Sequence, residues 1–316
     1  MQTIARAVVT GGAGFIGSHL VDALVAGGTQ VTVLDDLSTG HRRNLIHLLD
    51  RITFVEGDIR DADLLAEVVK EGDVVFHEAA VVSVTESVRD PARACDVNDL
   101  GTVRVLDACR RNGARRVVLA SSSAVYGDDP KLPKNEAMTP RPLSPYAVQK
   151  LSGEYYAAVF AGLYGLETVC LRYFNVFGPR QDPSSPYSGV ISIFMTQATA
   201  GEAATIYGDG KQSRDFVFVK DVVHANLLAG TEAAAVGRIF NVGTGDFIRI
   251  DDLWALIGEL AGYCAAPIHA APRAGDIRES IADIGAIAET LGFTPRVTLR
   301  QGLQETLAWY RAASQG

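Results

Sequence analysis

Through the first half of the chain, short apolar runs alternate with longer stretches whose apolar positions recur at helical spacing. "RAVVTG", "QVTVLD", "ITFVEGD", "DVVFHEAA", "RRVVLASS" and "ETVCLRYF" read as strands. Between them, "FIGSHLVDALVAGG", "DADLLAEVVKEG", "PARACDVNDLGTVRVLDACRRNG" and "YAVQKLSGEYYAAVFAGLYG" read as helices. This alternation predicts parallel strands joined by crossover helices. The runs are apolar nearly throughout, so helices are expected on both faces, and the fold class is α/β with a doubly wound parallel sheet.

Beyond about residue 174 the pattern loosens: "GPRQDPSSPYSG" is rich in Pro, Ser and Gly, and shorter elements follow. We expect a large domain over 1–173 and a smaller mixed α/β domain over 174–316, with segments near 214–245 returning to the large one. A length of 316 residues suits about two domains. The formal net charge of -8 argues against a general nucleic-acid or anionic-membrane surface but leaves room for a local basic phosphate pocket. No apolar run approaches the roughly 18 residues a membrane span needs. "MQTIARAVVTGG" passes directly into a strand without a signal-peptide pattern, so a soluble, cytoplasmic protein is expected.

Cys95, Cys109, Cys170 and Cys264 have no C-x-x-C spacing, and three of the four are expected to be buried, reduced packing residues. The histidines at 19, 41, 47, 77, 224 and 269 show no ligand spacing, so no metal is expected.

The first strand-to-helix turn carries "TGGAGFIGSHL". Gly12, Gly14 and Gly17 satisfy one glycine spacing for a pyrophosphate-binding turn, and Gly11, Gly14 and Gly17 another. Asp35 ends the second strand at the right interval to accept a ribose 2′-hydroxyl, and its charge would repel a 2′-phosphate, which favours NAD over NADP. Asp58, after the third strand, could accept from the adenine amino group or cap the next helix. Ala79 and Ala80 in "HEAA" are small enough to let backbone approach the cofactor.

The fifth strand ends in the hydroxyl run "LASSSAVYG", and "SPYAVQK" then places Tyr146 and Lys150 four residues apart on one helix face. A phenol beside an ammonium group can act in proton transfer, because a nearby positive charge favours the phenolate. A serine from the hydroxyl run can donate to a carbonyl or alkoxide beside them.

With these residues in view, the chain resembles the extended short-chain dehydrogenase/reductase family, and within it the nucleotide-sugar 4-epimerases. "TGGAGFIGSHL", "LDDLSTG", "GDIRD", "SSSAVYG", "YAVQK", "RYFNVFGPR", "SRDFVFVKDVV", "NVGTG" and "RAGDIRESIAD" follow the family's order over nearly the whole chain. The resemblance implies a Rossmann domain holding NAD, with Tyr146 transferring the proton, Lys150 binding the nicotinamide ribose and lowering the phenol pKa, and Ser122 or Ser123 completing the set. It adds Phe15, Ile16 and Asp36 to the glycines and Asp35 at the cofactor, together with Ile59, Asn98 and Tyr173. A UDP-sugar substrate and a homodimer formed through two helices of the large domain, including the one with Tyr146, are also implied.

On the substrate side the resemblance points to Asn175, Val190, Arg214 and Arg273, whose guanidinium groups suit a diphosphate, and to Asp276. Tyr207 is placed either over the uracil ring or in the core. Relatives that eliminate or decarboxylate carry an acid before "VYG"; here that position is Ala124, which leaves epimerisation through a 4-keto sugar. Ser280 stands where a bulky tyrosine restricts relatives to unmodified hexoses, so its small side chain implies turnover of UDP-N-acetylglucosamine and UDP-N-acetylgalactosamine alongside UDP-glucose and UDP-galactose. Ser83 replaces a lysine common in plain-hexose epimerases, and UDP-glucuronate or a net oxidoreductase reaction stay open as alternatives.

Overall fold

The computed structural model describes residues 3–182, 189–272 and 278–313. Each of the six apolar runs is a strand: β1 (Arg6–Thr10), β2 (Gln30–Asp35), β3 (Thr53–Glu56), β4 (Val74–His77), β5 (Arg116–Ser122) and β6 (Glu167–Tyr173). They pair in parallel in the order β3-β2-β1-β4-β5-β6, and the strand Ile239–Val242 adds to the outer side of β6. Alternate residues serve opposite faces. Val9, Val33 and Phe76 pack with helices Phe15–Ala26 and Val219–Thr231, while Val8, Leu34 and Val75 pack with Ala62–Val68 and Thr102–Asn112. Two-sided burial explains why these strands lack polar alternation.

The chain direction across the sheet reverses between β1 and β4, which opens a crevice at their carboxyl ends. Beside that crevice runs the helix Pro145–Tyr164. Its start is set by Ser144, whose Oγ accepts from the Ala147 N–H at 3.2 Å, and by Pro145 in the first turn; Gly165, at φ +70°, ends it. The stretch read as one helix over 91–113 is interrupted. A π turn at Asp96–Gly101 separates Pro91–Cys95 from Thr102–Asn112, and there Gly101 meets Ile59 while Asn98 turns its amide toward the loop after β4.

A second core gathers Phe177, Phe194, Met195, Phe218, Trp254, Leu303 and Leu307 under shorter elements. Asn175–Phe177 pairs with Phe216–Phe218, and Ser213–Arg214 lies between Ile248–Arg249 and Glu279–Ser280. Two cysteines are buried, Cys109 and Cys170, rather than three. Cys95 ends a short surface helix and Cys264 lies past the end of Ile250–Ala261, so the apolar neighbours of each do not enclose it. Among the described residues, no helix is long and apolar enough to cross a membrane.

Candidate active site

The backbone leaves β1 through Gly11, whose φ of +69° favours glycine, and any side chain there would stand 2.6 Å from the Ala79 nitrogen after β4. The Gly14 N–H donates to the Gly11 carbonyl at 3.1 Å, and a Cβ on Gly17 would run into that same carbonyl oxygen. Gly11, Gly14 and Gly17 are therefore the set that builds the turn, while Gly12 packs on Val33. Helix Phe15–Ala26 begins there with no side-chain cap and no acidic residue in its first turn, leaving N–H groups at its positive end for an anion. Phe15 and Ile16 lean into the second core.

Asp35 is buried at the end of β2. Its Oδ2 accepts from the Ala13 N–H and its Oδ1 from the Leu37 N–H, both at 2.8 Å. Burial pushes this carboxyl above its usual range and the two backbone donors oppose the rise. Asp36, by contrast, is exposed and accepts from Ser38. An uncapped helix start beside a fixed carboxylate fits the pyrophosphate and ribose of a dinucleotide.

Asp58 is not a helix cap. Asp61 caps Ala62–Val68 through the Asp63 and Leu64 N–H groups, whereas Asp58 pairs with Arg60, which holds its carboxyl below the usual range. Ile59 is buried. Asn98, expected at the cofactor, uses its amide on Val81, accepting at 2.8 Å and donating at 3.0 Å, and donates also to Gln149 at 2.8 Å. It thus ties the loop carrying Ala79 and Ala80 to the helix carrying Tyr146. Ser83 caps helix Val84–Arg89 through the Glu86 N–H.

At the carboxyl end of β5, Tyr146 hydrogen-bonds Ser122, whose Oγ also accepts from the Ala124 N–H at 3.1 Å. Ser123 lies in the next turn, Ser123–Tyr126. Lys150 donates to the Ala120 carbonyl at 2.8 Å and stands 5.8 Å from the centre of the Tyr146 ring. Burial raises the phenol above its ordinary pKa; the Ser122 hydrogen bond draws it back in part, and Glu78 adds to the rise. Desolvation of the ring oxygen is the largest of these effects, so the net direction is upward. Burial also brings Lys150 down to about 8, with Glu78 opposing. The Tyr173 hydroxyl donates to Glu78 at 2.7 Å and accepts from Asn226 at 2.8 Å. Such a cluster can hold a hydroxyl-bearing carbon and move its proton.

Glu78 and Asn226 were not anticipated from the sequence. The available signal was an acid in "HEAA", directly after four buried strand residues and before the alanines. Its neighbour His77 faces the other way, between Thr10 and Thr102, and burial lowers it to about 3.

Beyond β6, Asp215 bonds to two of the expected substrate residues, Asn175 and Ser280. Its buried carboxylate accepts from Thr244, Gly245 and Ala282, its carbonyl accepts from both nitrogens of Asn175, and its N–H donates to the Ser280 carbonyl at 2.8 Å. Ser280 is the parallel strand partner of Arg214. Val190 opens helix Val190–Ala200 and is half-buried. Tyr207 is not a core residue: in Thr205–Tyr207 the buried side chain is Ile206, and Tyr207 is 37% exposed. Arg273 and Asp276 lie outside the described residues.

A family model described as the NAD dependent epimerase/dehydratase family matches residues 7–243. The chain is 45% identical over 316 residues to a UDP-glucose 4-epimerase of Mycolicibacterium smegmatis, covering 98% of this chain and all of that one. The crystal structure of a UDP-glucose 4-epimerase from Thermotoga maritima with UDP-glucose superposes with a TM-score of 0.93 at 40% identity, over 98% of this chain and 99% of that one. A UDP-N-acetylglucosamine 4-epimerase from Methanobrevibacter ruminantium, in complex with UDP-N-acetylmuramic acid, gives 0.94 at 41% identity, over 99% of this chain and all of that one.

Proposed function

The chain belongs to the NAD-dependent epimerase/dehydratase family, and we propose that within it this member is a UDP-sugar 4-epimerase. The observation that carries the reading is the Ser122, Tyr146 and Lys150 cluster at the sheet's carboxyl edge with Ala124, not an acid, beside it. NAD, held by the glycine turn and Asp35, would supply the hydride acceptor and donor for C4 of the sugar, so that a 4-keto sugar can be reduced on its other face. The chain's own part is to move protons and hold groups still. Tyr146 takes the proton of the C4 hydroxyl and gives it back, Ser122 hydrogen-bonds the sugar oxygen, and Lys150 binds the nicotinamide ribose while its charge favours the phenolate. The Gly11, Gly14 and Gly17 turn takes the pyrophosphate, Asp35 the adenosine ribose and Asp58 the adenine edge.

The second lobe holds the nucleotide diphosphate, with Arg214 and Arg273 on the phosphates, Asn175, Val190 and Asp276 lining the site and Tyr207 over the uracil. Incubating the purified protein with single UDP-sugars, without added cofactor, should yield the C4 epimer. Stoichiometric consumption of external NAD(H) without an epimer would overturn the reading. We place the reaction in the cytoplasm, where the free thiols of Cys95 and Cys264 stay reduced.

Ser280 sets the size limit for the sugar. Its strand pairs with Arg214 at one end, and two residues on, Ala282 packs against Val125 and Tyr126, just past Ser122. A small side chain on this path leaves volume for an acetamido group, which a close-packed pocket could not absorb. Ser280→Tyr should abolish turnover of the UDP-N-acetylhexosamine pair and spare the UDP-glucose pair; equal loss of both would remove Ser280 as the gate.

The enzyme is a homodimer in this reading. Helix Pro145–Tyr164 presents Val148, Tyr155, Tyr156, Val159 and Leu163 to solvent along one stripe, with Val84, Val88 and Leu100 also exposed on the two segments packed beside it. An apolar surface of this extent suits a matching helix of a second copy. Sedimentation should give a dimer for the wild type and a monomer for Tyr155→Glu with Leu163→Glu; a monomeric wild type would remove the proposal.

A further inference from the structure

Lys150 sits in the cleft with one of its three N–H donors spent on the Ala120 carbonyl, and among the described residues no carboxylate lies within ion-pair distance of it. Glu78 is the nearest acid in the fold's register: β4 pairs His77 with Leu119 of β5, so Glu78 leaves the sheet level with Ala120, whose carbonyl Lys150 binds. It follows β4 directly, next to the Ala79 backbone that abuts Gly11, and its carboxylate is fixed by a relay: Asn226, on helix Val219–Thr231, donates to the Tyr173 hydroxyl, which donates to Glu78. Asn226 is in turn anchored to the Val222 carbonyl at 3.0 Å. The carboxylate cannot swing away from the cleft without breaking this chain of bonds.

We propose that Glu78 is a positioning residue for the reaction: held by Tyr173, it is the counter-charge that keeps the Lys150 ammonium protonated in the cleft. This rests on the epimerase reading only in that Lys150 serves the reaction there. The charged and titratable groups facing Glu78 are Lys150 and Tyr146 from helix Pro145–Tyr164 and Tyr173 from β6; His77 points to the opposite side. Burial brings the Glu78 carboxyl up to about 7, with the Tyr173 hydrogen bond and Lys150 both opposing, so it carries charge increasingly from neutral pH upward. A carboxylate so placed favours the ammonium over the free amine.

The test is competitive acetylation of the full-length protein across pH, with the labelling of Lys150 read by mass spectrometry, since only the free amine reacts. Glu78→Gln keeps an acceptor for Tyr173 but removes the charge, and it should move the Lys150 titration about one pH unit downward. The alkaline limb of the kcat profile should move with it. Tyr173→Phe leaves the Glu78 carboxyl less ionised and should shift Lys150 the same way by a smaller amount, and Glu78→Asp, which keeps the charge but draws it back from Tyr173, should shift it less than Glu78→Gln. Lys150 titrating at the wild-type pH in both Glu78→Gln and Tyr173→Phe would overturn the assignment. Labelling needs no turnover, so a wild type that forms no epimer would sink the epimerase reading while the Lys150 titration still decides the role of Glu78.

Discussion

Replacing Tyr146 by phenylalanine should lower the epimerisation rate by about 10²- to 10⁴-fold, the usual contribution of a positioned proton-transfer group. The ring stays, so packing in the cleft is kept and substrate binding should change far less than kcat. The phenol is held above its ordinary pKa by burial, with Ser122 pulling it back and Glu78 pushing it further up. At neutral pH the reactive phenolate is therefore a minor form, and the wild-type rate should climb with pH as the phenolate fraction grows, up to the alkaline limb where Lys150 loses its charge. In Tyr146→Phe that climb should vanish together with most of the rate. Initial rates of C4-epimer formation against pH for the two proteins make the comparison. A variant within a few-fold of wild type, or one that kept the pH dependence, would move the proton-transfer role to another group.

The sequence made the scaffold legible because strand and helix periods differ and β1 to β6 are short, apolar and separated by helices of clear spacing. Asp35 and the glycine turn could be read for the same reason: each sits at a fixed interval from a strand end. Other features depended on side-chain direction, which spacing does not carry. Ser122 and Ser123 are adjacent hydroxyls, and only the turn at Ser123–Tyr126 brings the first to Tyr146. Tyr207 faces outward because the alternation of its strand gives the core to Ile206. Asp61 rather than Asp58 caps its helix because the helix begins at Ala62, which leaves Asp58 outside the cap position and paired with Arg60. Glu78 looked like one more acid at a strand end, and its meaning arises from β6 and helix Val219–Thr231, roughly 95 and 150 residues further on, which long-range packing alone brings to it.

Beneath the reaction centre, Glu154→Ala should destabilise the fold by about 3–5 kcal/mol, the range for breaking a buried ion pair on one side. Glu154 lies one helical turn beyond Lys150, and its carboxylate meets the Arg172 guanidinium in a two-pronged pair at 2.8 and 2.7 Å while accepting from the Ser121 hydroxyl at 2.5 Å. Both charged side chains are all but inaccessible, at 3% and 1% exposure. Arg172 also stacks 4.8 Å from the Tyr126 ring, and among the described residues its Nη1 has no hydrogen-bond partner, so removing Glu154 leaves a buried cation without the carboxylate that chiefly offsets its desolvation. Ser121 precedes Ser122, Arg172 precedes Tyr173, and Glu154 shares a helix with Tyr146 and Lys150; one ion pair therefore sets the register of all three elements of the reaction centre. Urea unfolding should show Glu154→Ala well below wild type, and the double change Glu154→Leu with Arg172→Met should recover much of the loss, because two apolar groups leave no charge unpaired. Activity should not recover in the double variant to the same degree, since apolar packing does not fix the helix against β5 and β6 with the direction that a two-pronged pair imposes. A single variant as stable as wild type, or a double variant with wild-type turnover, would show that the pair neither holds the fold nor aligns the site.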